Sequence, residues 1–145
     1  MPIQNISLKR AARKIRARLL PIKSIIAVYA FGSQALGRTT RFSDLDIGIL
    51  LNQGALRKAF DFEIKWREEL SRMLEGEVDV VILNKADPFL KFQVFQKGIP
   101  LLIRDAKRAE NYKWQSIREY WDWQPSQRIL EGKAWERLEG YPHHG

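Results

Sequence analysis

Five residues of this chain have the types and spacing to hold a polyphosphate and a hard metal ion: Gly32, Ser33, Asp44, Asp46 and Asp79. Gly32-Ser33 closes an apolar run (SIIAVYAF). Glycine lets backbone approach a ligand closely, and N–H groups at a helix start, joined by a serine hydroxyl, suit an anion such as phosphate. Ten residues later come Asp44 and Asp46. Residues i and i+2 of a strand share a face, so these carboxylates would stand side by side at a strand start. Two adjacent carboxylates repel unless a cation neutralises them, and hard oxygen ligands favour Mg²⁺. Asp79 interrupts another apolar run, VDVVIL, where a carboxylate is expensive unless paired or metal-bound. If the two strands are neighbours, Asp79 completes a two-metal site. One ion would activate an attacking hydroxyl and the other would neutralise triphosphate and leaving pyrophosphate.

The elements that must position these residues are legible from pattern. Leu8, Ala11, Ile15 and Leu19 recur at helical spacing, with Ser7 as N-cap and Pro21 as terminator. Strands are predicted over 24–31, 46–51, 78–83 and 99–103, with Pro100 placing the last at an edge or strand end. Leu56, Phe60, Ile64, Leu70 and Leu74 are read as one face of a helix ending near Gly76. Asp87, Pro88 and Gly98 bound the next helix. The order α-β-α-β-α-β-α-β predicts an α+β fold, one mixed sheet with flanking helices. Residues 1–106 form the predicted catalytic domain with a basic N-terminal helix. Residues 107–145, with four of the five tryptophans, form a helical extension packed on it, read as two helices separated near Pro125.

Composition removes alternatives. With 145 residues the chain builds one core. It has no cysteine, and its only histidines are His143 and His144 at the C-terminus, so thiolate chemistry and a buried imidazole base are excluded. No apolar run reaches the roughly 20 residues of a membrane span, and a soluble, cytoplasmic protein is expected. Most of the net charge of +8 sits in residues 1–23, which carry seven basic residues and no acid. Acid-free basic N-termini occur in transit peptides, but this one is poor in serine and leads directly into a strand, so it is read as part of the fold. Its charge is either a solvated helix face or a surface for a phosphate-rich or acidic partner. Nucleic acid is possible only through this helix.

Gly-Ser, ten residues, Asp-x-Asp and then an apolar strand with a central Asp resembles the DNA polymerase β-type nucleotidyltransferase superfamily. With Ala35, Gly37 and Ser43 the chain looks more narrowly like the minimal nucleotidyltransferase antitoxins, over about Ile25 to Arg104. The resemblance implies that Gly32 and Ser33 bind triphosphate, that Asp44 and Asp46 bind metal, and that Asp79 binds metal and helps activate the nucleophile. It implies Mg²⁺, two ions, with ATP as substrate, and a tyrosine hydroxyl on a cognate HEPN-domain ribonuclease toxin as acceptor of AMP. Alternatives are a small-molecule acceptor, or a non-catalytic antitoxin acting by contact. The tail tryptophans read as helix packing, as a docking surface, or as a stacking platform for single-stranded nucleic acid.

Overall fold

Four short apolar runs can satisfy their backbone groups only by pairing with one another, and they do so in a single sheet. A computed structural model describes residues 8–32 and 45–137, with side chains through Trp123. The strands are β1 (Ile25–Phe31), β2 (Leu45–Leu51), β3 (Val78–Ile82) and β4 (Ile99–Ile103), in the order β3-β2-β1-β4. β1 runs antiparallel to both β2 and β4, whereas β2 and β3 are parallel. The sheet is therefore mixed, and its one parallel pair is joined by a helical crossover, as parallel pairing requires.

Helices cover both faces. α1 (Leu8–Leu19) buries Ala11, Ile15 and Leu19, and α2 (Ala59–Leu74) buries Ala59, Trp66, Leu70 and Leu74. Both pack on the face formed by Val28, Ala30, Ile47, Ile49, Val80 and Ile82. α3 (Pro88–Lys97) and α4 (Ala106–Arg137) cover the other face, where Val94, Phe95 and Ala109 meet Ala27, Tyr29 and Leu50. The predicted boundaries of α3 are met: the Asp87 side chain accepts from the Leu90 N–H at 2.8 Å, and the Gly98 N–H donates to the Val94 carbonyl. Arg104 laces the end of β4 to the α1–β1 connection by donating to the carbonyls of Leu20, Ile22 and Ile25.

The open edge of β3 is closed by side chains. The N–H groups of Val78, Val80 and Ile82 donate to Ser71 Oγ, Asp79 Oδ1 and Glu63 Oε1 at 3.0, 3.0 and 2.9 Å. At the opposite edge Pro100 lacks a donor, and the Arg16 guanidinium donates to the Leu101 carbonyl at 3.3 Å. Part of the basic N-terminal segment is thus structural. Arg16 works at the sheet edge, and Arg18 pairs with Glu69 of α2 at 2.5 Å.

Three expectations about the elements need correction. Leu56 belongs to a 3₁₀ segment, Gln53–Lys58, ahead of α2. Phe60 and Ile64 are 69% and 40% exposed instead of facing the core. Leu70 lies six positions after Ile64, which sets them about 120° apart around a helix; the buried stripe runs through Ala59, Trp66, Leu70 and Leu74, with Phe62 stacked on Trp66. The tail is one helix through Pro125, not two. The carbonyl that Pro125 cannot serve belongs to Trp121, a residue 59% exposed. Ser7, the expected cap of α1, lies outside the described residues.

α2 ends on Glu75 in the left-handed conformation (φ 54°), with the Gly76 N–H donating to the Ser71 carbonyl. A side chain there costs about 1 kcal/mol that glycine would avoid. Glu75→Gly should therefore raise the unfolding free energy by about that amount, read as a higher midpoint in urea denaturation.

Candidate active site

Strand register decides which side chains meet. β2 and β3 place Asp46 opposite Asp79, and β1 and β2 place Phe31 opposite Asp46. In-register residues of neighbouring strands share a face. The two carboxylates therefore stand next to each other on the face that carries α3 and α4, at the strand end where β1 runs into Gly32. The sequence places 32 residues between them, and the parallel pairing brings them together.

Gly32 has φ +82°, and a Cβ on it would lie 2.1 Å from Asp46 Oδ2. The backbone at the end of β1 and the Asp46 carboxylate are in direct contact, which only a residue without a side chain permits. Gly48, two residues along β2 on the same face, admits the Leu83 side chain in the same way, since a Cβ there would lie 2.9 Å from it. Asp79 has a side chain 48% exposed. Its Oδ1 accepts from the Val80 N–H and lies 3.0 Å from an Arg67 nitrogen of α2, so the guanidinium reaches round the open edge of β3 to the carboxylate.

Of the five residues singled out from sequence, the structure brings Gly32, Asp46 and Asp79 together. Ser33 and Asp44 lie outside the described residues, and among those described no cluster of three potential metal ligands forms. The donor set fits a hard cation nonetheless, because it is all oxygen, and the absence of a Cβ at Gly32 is what lets the Asp46 carboxylate stand there. Arg67 was not anticipated. It sits on a different element from Asp79, and no local pattern marks an arginine that pairs across a crossover.

A larger cavity, about 690 Å³, lies elsewhere, between Leu51, Asn52, Asn84, Lys91 and Tyr112. Asp46 and Leu51 are five residues apart on β2, roughly 17 Å, so this cavity is at the far end of the sheet. Lys91 is buried there, 3.5 Å from Glu119. Burial raises the phenol pKa of Tyr29, helped by the charge of Glu110; burial also raises that of Tyr112, partly offset by Lys91. Both phenols therefore stay neutral at physiological pH.

The model of the family described as polymerase beta, nucleotidyltransferase, matches residues 13–107. Solved structures share the fold. A crystal structure of a toxin–antitoxin with AMP-PNP has a TM-score of 0.71 and 25% identity, covering 85% of this chain and 97% of that one. The toxin–antitoxin MntA-HepT has a TM-score of 0.67 and 22% identity, over 87% and 97%. A tri-AMPylated Shewanella oneidensis HEPN toxin in complex with MNT antitoxin has a TM-score of 0.66 and 22% identity, over 87% and 97%. No protein of curated function matches.

Gly32→Ala should cost about 2–4 kcal/mol, from the left-handed backbone and the overlap with Asp46 together. In an Asp46→Ala background the same change should cost only the backbone part, about 1–2 kcal/mol. Denaturation of the four proteins of this cycle measures the coupling. Equal costs in both backgrounds would remove the Gly32–Asp46 contact.

Proposed function

Because the chain belongs to the polymerase beta nucleotidyltransferase family, we propose that it transfers AMP from ATP to a tyrosine hydroxyl of a cognate HEPN-domain toxin. The observation that carries this reading is the in-register pair Asp46 and Asp79 beside the side-chain-free Gly32. The similarity to a toxin–antitoxin structure with AMP-PNP supports the nucleotide. The AMPylated toxin held by a protein of the same fold suggests the acceptor.

In this reading Gly32 and Ser33 hold the triphosphate through backbone N–H groups and the serine hydroxyl. Asp44, Asp46 and Asp79 are the residues that would hold Mg²⁺, two ions. Bound there, the metal would supply charge neutralisation for the triphosphate and a lower pKa for the acceptor hydroxyl. The acceptor oxygen forms a bond to the α-phosphorus while the bond from that phosphorus to the bridging oxygen breaks, and pyrophosphate leaves. Asp79, half-exposed at the end of the site, receives the hydroxyl proton. The acceptor arrives on a folded partner, whose own surface supplies its orientation. The division into residues 1–106, which carry the chemistry, and residues 107–145, a helical extension, follows the same reading.

The exposed aromatic side of the extension is the surface proposed for docking. Trp114 and Trp121 are exposed, and Trp121 meets Phe92 edge to face. Trp121→Ala should weaken association with the toxin while leaving thermal stability within about 1 kcal/mol of wild type, as an exposed side chain allows. Pull-down and melting of the same variant separate docking from packing.

Incubation with ATP, Mg²⁺ and the toxin should yield toxin heavier by one or more AMP units in intact-mass spectrometry. Asp79→Asn should slow that transfer by about 10²-fold or more, with the folded protein retained. A toxin whose mass never changes, while the complex forms and toxicity is neutralised, would replace the transferase with an antitoxin that acts by contact alone.

A further inference from the structure

A second cavity opens beside Gly32, and neither the sequence nor the carboxylate chemistry accounts for it. It measures about 280 Å³ and is lined by Phe31, Gly32, Phe89, Leu90, Gln93 and Lys97. Two of these residues come from the end of β1 and four from α3. Phe89, Gln93 and Lys97 stand at i, i+4 and i+8, so they form one stripe along that helix. The rest of α3 is committed elsewhere: Val94 and Phe95 enter the core, and Phe92 stacks on Tyr120 of α4 at 4.1 Å. The stripe is the one face of α3 turned toward the site.

Its chemistry is unusual for a helix surface. Phe89 is 49% exposed although it is aromatic, and it lies at the margin of the α3–α4 aromatic cluster, 6.3 Å from Tyr120. An exposed ring offers a stacking platform for any flat heterocycle. One helical turn further on, the Gln93 amide offers both a donor and an acceptor. Lys97 adds a positive charge in the last turn, nearest the β1 end. Phe31 closes the cavity from the sheet and is the register partner of Asp46, so the cavity is contiguous with the carboxylates.

We propose that this cavity holds the base of the nucleotide, with Phe89 stacking on it and Gln93 reading an adenine edge. This rests on the transferase reading above and adds to it the position and selectivity of the base. The volume lies just under the 300–1,000 Å³ of small-molecule pockets, which suits one heterocycle and not a whole nucleotide. The triphosphate stays outside, at Gly32. A glutamine amide pairs with adenine by accepting from the exocyclic N6 amine and donating to N7; guanine presents two acceptors at those positions and leaves the amide oxygen unpaired. The larger cavity at the far end of the sheet is roughly 17 Å from Asp46, too far for a base whose phosphates rest at Gly32.

Calorimetry with ATP, GTP and inorganic tripolyphosphate, each with Mg²⁺, tests the proposal on wild type, Phe89→Ala and Gln93→Leu. Wild type should prefer ATP to GTP. Phe89→Ala should weaken both nucleotides by about fivefold or more, the loss expected of a stacked base, and leave tripolyphosphate unchanged. Gln93→Leu should erase most of the preference for ATP, again without effect on tripolyphosphate. Unchanged ATP affinity in both variants would place the base elsewhere and overturn the proposal while leaving the transferase reading intact. So would variants that bind ATP normally but show a raised KM for toxin, since the cavity would then take the acceptor. If wild type binds neither ATP nor tripolyphosphate, the transferase reading and the base cavity fall together.

Discussion

The Asp46 carboxylate occupies the place where a side chain on residue 32 would begin. Everything at this end of the molecule depends on that contact. It requires a glycine with positive φ at the end of β1, which fixes how the chain leaves the sheet. It requires β2 antiparallel to β1 in the register that sets Phe31 against Asp46. It also leaves one flank of Asp46 for β3, whose parallel pairing brings in Asp79. A one-residue slip of either neighbour would turn a carboxylate to the opposite face, into the apolar layer under α1 and α2, where an uncompensated charge is costly.

The two faces of the sheet consequently do different work. The α1–α2 face is almost entirely apolar and carries the main core, with Ile15, Leu19, Trp66, Leu70 and Leu74 fully buried. The α3–α4 face is smaller, and toward the strand end that bears Asp46 and Asp79 its cluster thins to the partly buried Phe31. The main core and the proposed site are thereby separated by the thickness of one sheet. Arg67 is the exception, since it belongs to the structural face and reaches the other one round an edge.

Much of this was legible in the sequence because it rests on local rules. Short apolar runs located all four strands to within a residue or two at each end, and Asp87, Pro88 and Gly98 bracketed α3 through cap chemistry. The pairing of Asp46 with Asp79 was legible only conditionally, since pattern marks strands but not their neighbours. What pattern misread was the burial of α2: Phe60 and Ile64 are apolar and helically spaced, yet the sheet is met by the stripe through Trp66 and Leu70. Hydrophobicity alone could not choose between two apolar stripes on one helix. The proline inside α4 misled for a related reason, because a local rule about chain breaking gave way within a long helix.

The sheet of this protein is a poor template. On β3 the outward N–H groups of three residues are already bonded to Ser71, Asp79 and Glu63. On β4 a proline and an arginine blunt the other rim. A passing extended segment therefore meets an interrupted row of donors on the β3 rim and a gap at Pro100 on the other. Among the described residues, that leaves helix surfaces and side chains as the faces free to meet another chain, and substitutions there leave the hydrogen-bonded frame undisturbed.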